Sequence, residues 1–211
     1  MKMNTLYAAI AGAFLLGTAA LAPAQMANAP AGSTVTNPVK NAKVAASSDY
    51  RADKEKIEAD YKAAKEKCKS MSGNAKDICI EEAKGREKVG KAELENTYQP
   101  SARHANDVMT TKAKADYDVA KEKCDDRKGN DKDVCKKEAK AAYVTAKADA
   151  KVAKKVADPS ASLGDKTAAK KDAAEDKRDA NYATAKEKCD AMKGDAKDSC
   201  VKQAKAKFGQ S

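Results

Sequence analysis

Apolar positions along most of this chain recur every three to four residues. In Tyr61-Lys-Ala-Ala-Lys-Glu-Lys-Cys68, the residues Tyr61, Ala64 and Cys68, with Met71 beyond them, share one helical stripe, and Lys and Glu occupy the remaining sides. The spacing returns at Tyr117, Ala120 and Cys124, and again at Tyr182, Ala185 and Cys189. Each stretch predicts an amphipathic helix whose small residues form a seam: Tyr61 with Ala64, Tyr117 with Ala120, Tyr182 with Ala185. The tyrosines are expected to fill the widest part of each seam.

The three stretches open three copies of one unit. Gly follows five residues after each first Cys (Gly73, Gly129, Gly194), then Asn74, Asn130 or Asp195, then x-Lys-Asp-x-Cys, closing at Cys79, Cys135 and Cys200. Ala-Lys follows at 83–84, 139–140 and 204–205, and the copies are offset by 56 and then 65 residues. Self-similarity of this kind marks a repeat architecture. Gly73 and its equivalents are expected to end the first helix in a left-handed conformation, and Asn74, Asn130 and Asp195 to cap the second. The fold class that follows is all-α: three antiparallel, coiled-coil-like helical hairpins, elongated or loosely bundled. They span residues 47–98, 102–157 and 165–208, after a disordered lead-in over 25–46. Breaker clusters at Gln99-Pro100-Ser101 and around Pro159 separate the copies and are expected to uncouple them.

The cysteines fit that reading. Two Cys eleven residues apart on one unbroken helix would lie ~16 Å apart, too far for a disulfide. A reversal between Gly73 and Asn74 brings Cys68 opposite Cys79, and the same logic pairs Cys124 with Cys135 and Cys189 with Cys200. Zinc ligands usually stand two to four residues apart and recruit His, whereas the chain's one histidine, His104, lies outside every repeated Cys motif. Neither C-x-x-C nor a lone reactive thiol is present, so structural disulfides are expected, with no metal and no cofactor.

Composition sharpens the picture. There are 46 alanines among 211 residues and no Trp, so a large packed core is excluded. Residues 1–24 follow a secretory signal peptide: Lys2, an apolar run from Leu6 to Leu21, then Ala22-Pro23-Ala24, with cleavage expected before Gln25. Export makes disulfides permissible, removes nucleic acid as a partner and leaves no transmembrane span after cleavage. Net charge is +10, but 32 acidic residues lie among the 42 basic ones. The Lys-Glu-Lys triplets read as a solvated helix face, and patches such as Lys151-Val-Ala-Lys154-Lys155 suit weak contact with an anionic surface. No Ser/His/Asp set, phosphate-cradling loop or paired carboxylates can be assembled, so no catalytic residue is assigned and no enzyme is expected.

With Y-x-x-A-K-E-K-C, G-[ND]-x-K-D-x-C and the terminal Phe208-Gly209 in hand, the chain resembles a group of exported Ala/Lys-rich proteins of beta-proteobacteria, often labelled TolA-like or cell-envelope proteins. The resemblance implies a periplasmic protein. Together with the residues it leads to the expectation of a non-catalytic structural or interaction protein of the envelope, binding an envelope protein or itself. The alternative expectation is a cationic periplasmic stress protein or chaperone, or a polyanion binder.

Overall fold

Ala, Lys and Glu lose little rotamer freedom in a helix, and the breakers here are confined to short clusters, so long helices follow. In the computed structural model, which describes residues 38–210, they are α1 (Pro38–Cys68), α2 (Gly73–Tyr98), α3 (Ala102–Cys124), α4 (Gly129–Ala157), α5 (Leu163–Cys189) and α6 (Gly194–Phe208). The described residues form helices and short connections. The fold is therefore all-α, in three disulfide-clamped hairpins: α1 with α2, α3 with α4, and α5 with α6.

Each described helix packs on its neighbours in chain order, and no pair further apart in sequence comes together. The result is an open up-and-down series. Packing across the spacers, α2 on α3 and α4 on α5, is more extensive than packing within any hairpin. This corrects the expectation that the spacers uncouple the units. Pro100 sits in a reversal only three residues long between Tyr98 and Ala102, and Pro159 in one of five between Ala157 and Leu163. Both are tight turns that fold each hairpin back onto the previous one.

Other boundaries shift for local reasons. Helix α1 starts at Pro38, so the lead-in expected through residue 46 is helical over its last part. Proline suits a first helical position, and residues 39–48 hold Ala, Lys and Val with no further Gly or Pro. Residues 1–37, with the expected signal peptide and cleavage site, lie outside the described residues. The second hairpin keeps the bounds 102–157. The third begins at Leu163, because Ser162 accepts from the Asp165 backbone N–H and Asp165 reaches back to the Ser162 N–H, a full capping box.

The capping expected inside each hairpin is not what forms. The residues preceding α2, α4 and α6 are Ser72, Lys128 and Lys193, in extended conformation and without side-chain cap bonds. Asn74 instead donates its amide to the Glu122 carbonyl on α3, 2.9 Å away. The first helix of each hairpin already ends at the Cys, through a tight turn in which the Met71, Arg127 and Met192 N–H groups bond the Cys carbonyls. Met71 therefore lies beyond α1 and is exposed, off the seam. Gly73, Gly129 and Gly194 do adopt left-handed φ of 57°, 55° and 54°, but as the entry to the second helix.

The core is thin. Its largest fully buried side chains are Cys68, Cys124 and Cys189, and most of the rest is alanine. Ala83, Ala139 and Ala204 are buried at the same place in each copy, four residues past the second Cys. Methyl groups bury little area, so each disulfide, worth about 3 kcal/mol for a loop of this size, is a large share of what holds a hairpin shut.

Candidate functional site

The three clamps have Cα–Cα distances of 5.6, 5.5 and 5.6 Å, and no free cysteine is found among the described residues. From each clamp the seam runs away from the turn. Ala64, Ala120 and Ala185 are half-buried, as are Tyr61, Tyr117 and Tyr182. Across the second seam Tyr117 stacks on Tyr143, with centroids 5.1 Å apart at 23°. Across the third, Tyr182 meets Phe208 at 6.5 Å. The matching position in the first hairpin is Glu87, and Tyr61 borders a small cavity of 240 Å³ with Glu87, Arg86 and Gly90. That hairpin is latched further out, where Tyr50 and Tyr98 meet edge to face at 5.3 Å. Tyr98 donates to Asp53 at 2.9 Å and Tyr50 donates to Glu95. The bond to Glu95 raises the Tyr50 pKa, while at Tyr98 partial desolvation, then Asp53, does the same.

Lysines surround the second aromatic pair. The Lys140 Nζ lies 5.6 Å from the Tyr117 ring and 5.1 Å from the Tyr143 ring, with Lys114 and Lys147 over their outer edges. These contacts hold the lysines against the rings, and Lys114 also pairs with Asp118.

Each clamp in the last two copies carries a charged clasp at its turn. Asp125 accepts from Lys132 and Lys136, both at 2.9 Å, and Asp190 accepts from Lys197 at 2.8 Å. Hydrogen bonds from Lys136 and Lys132 hold the Asp125 carboxyl down at about 2, and the bond from Lys197 lowers that of Asp190.

The Lys-Glu-Lys triplets do more than form a solvated face. Lys123 pairs with Glu82 on α2 at 3.3 Å, and Lys188 pairs with Glu138 on α4 at 2.7 Å. In both cases the Lys directly before the first Cys meets the Glu three residues past the second Cys of the preceding copy. Eleven residues further along, Lys177 pairs with Asp149, and Lys112 and Glu93 line one groove at the equivalent place. Between these charges the helices touch through small residues: a Cβ on Gly85 would lie 3.0 Å from the Ala115 Cβ. One stacking register thus serves both inter-hairpin contacts.

Sequence reasoning missed this acidic half of the register. Its signal was present in the repeated residues after the second Cys, where Ala-Lys recurs with Glu82 and Glu138 directly before it.

The α2–α3 contact leaves a groove of 570 Å³ lined by Val89 and Ala115 together with charged residues that include Glu82, Glu93, Lys112 and Lys123. A second cavity, of 350 Å³, lies where α4 meets α5 and gathers Lys151, Lys154 and Lys155 beside Asp158 and Asp172. The basic patch expected there is thus partly balanced by acids. Among the described residues no group of His, Cys, Asp and Glu could hold a metal ion, and no helix is long and apolar enough to cross a membrane. The His104 ring bonds the Gln99 carbonyl at the α2–α3 turn. No protein-family model matches the chain, and neither a curated protein nor a solved structure matches it.

Proposed function

We propose that this chain is a non-catalytic, exported protein of the cell envelope whose role is structural or to bind a partner. The observation that carries this reading is the repeated inter-hairpin register, Lys123 on Glu82 and Lys188 on Glu138, which stacks copies of one hairpin into an array. Arrays of this kind have small cores and large continuous surfaces, and they bind through those surfaces. Three disulfides support an oxidising compartment, and Ala22-Pro23-Ala24 supplies the route into the periplasm. The ionised groups described above are spent on one another in clasps and ladders, which suits a scaffold.

Fractionation of a Gram-negative host followed by intact-mass measurement should recover the chain from the periplasm beginning at Gln25. Crosslinking in the same cells should return one recurrent partner or a self-adduct. Recovery from the cytoplasm with an uncut N-terminus would overturn the exported reading. A broad, salt-sensitive set of clients would replace the scaffold with a cationic chaperone.

A further inference from the structure

Among the described residues the stacking register leaves one of its faces open. On α3 the face that meets α2 carries Lys112, Ala115, Val119 and Lys123; on α5 the face that meets α4 carries Lys177, Ala180, Thr184 and Lys188. The equivalent positions on α1 are Lys56, Ala59, Ala63 and Lys67, again with two lysines eleven residues apart and small residues between them. All four are exposed, and Lys56 is paired with Asp60 on its own helix at 2.7 Å. The α1 face is thus a copy of the surface used twice inside the molecule, and among the described residues no helix covers it.

The opposite end does not offer the complement. Helices α2 and α4 present an acid, a small residue and a second acid: Glu82, Gly85 and Glu93, then Glu138, Ala141 and Asp149. On α6 the first acid is replaced by Gln203, and the helix closes at Phe208 on a left-handed Gly209. A second copy docking through α6 would set Gln203 where α2 and α4 set an acid, and α1 on α1 would oppose like charges. Nor do residues 1–37 of this chain contain an acidic residue to meet Lys56 and Lys67.

We infer that the exposed face of α1 is a docking site for a helix of a different protein. That helix carries two acidic residues eleven apart with small residues between them, as α2 and α4 do. The inference rests on the interaction-protein reading and assigns its surface. Small residues let the two helices approach closely, and the lysine pair fixes register and rejects basic partners.

The test uses the full chain and a hydrocarbon-stapled helical peptide of residues 73–98 with Ser in place of Cys79. Calorimetry should show saturable binding that weakens with salt, and hydrogen exchange should place the footprint on α1 between Lys56 and Lys67. The chain with Lys56→Glu and Lys67→Glu should bind at least about tenfold more weakly, and a peptide with Glu82→Lys and Glu93→Lys should restore the affinity. Absence of binding, a footprint on another helix, or affinity indifferent to the charge reversal would overturn the proposal. Two further outcomes would also overturn it, by naming another occupant. One is sedimentation showing a dimer of the chain alone that Lys56→Glu and Lys67→Glu abolishes. The other is binding to phosphatidylglycerol vesicles lost with the same substitutions. If the peptide fails while a partner crosslinked in cells persists, the α1 assignment falls and the interaction reading stands; cytoplasmic recovery would do the reverse.

Discussion

Gly85 lets α2 and α3 approach closely, because a Cβ there would meet the Ala115 Cβ at 3.0 Å and the Ala115 Cα, on the α3 backbone, at 3.7 Å. Branched side chains cannot be absorbed by rotating a flexible tip away. Gly85→Val should therefore lower stability by about 1–3 kcal/mol in urea unfolding, the usual cost of overpacking. Gly90, also within α2, has ordinary clearance of 3.4 Å to the Ile57 side chain, so Gly90→Ala should leave stability unchanged or raise it by up to about 1 kcal/mol through better helix propensity. Equal losses at the two sites would show that the close α2–α3 approach is not what Gly85 provides. At this scale the sequence was legible where chemistry is local. Three identical Cys pairs, with the ~16 Å exclusion along one unbroken helix, favoured the pairing across a turn, and the Tyr–Ala–Cys stripe placed the seam. Asn74 was misread because an Asn after a Gly carries the same signature whether it caps its own helix or, as here, reaches the Glu122 carbonyl on the next one.

Between elements, charge decides how the hairpin turns respond to acid. Asp125 is held at about 2 by Lys136 and Lys132, below its ordinary 3.8. A lowered folded-state pKa gives a contribution that is complete above the unfolded value and is lost as pH falls through the folded one. The clasp between α3 and α4 should accordingly hold above about pH 4 and fail toward pH 2. Urea unfolding between those limits should show a steeper loss for the wild type than for Asp125→Asn, and parallel curves would mean that the lysines do not hold this carboxylate. The helices themselves were legible from Ala, Lys and Glu and from the breakers. The contact between hairpins was not, because the sequence marks Pro100 and Pro159 as chain breaks without stating whether the chain turns sharply or runs on. Nor was the start of α1, where Pro38, inside the stretch expected to be a disordered lead-in, is the first residue of the helix.

At the scale of the whole array the three hairpins are coupled units, because α2 on α3 and α4 on α5 are the larger contacts. In a one-dimensional array, stability is a sum of unit terms and neighbour terms, so weakening one unit also removes support from those flanking it. Such thin, alanine-lined hairpins have little stability of their own to withstand that loss. The direct measurement is segment-resolved hydrogen exchange on the chain with Cys124→Ser and Cys135→Ser, in oxidising buffer. The stacked array predicts that protection falls most in α3 and α4 and falls also in α2 and α5, where their covering neighbours have loosened, while α6 and the far end of α1 change least. Loss confined to α3 and α4, with α2 and α5 protected as in the wild type, would contradict it and show three independent hairpins on a string.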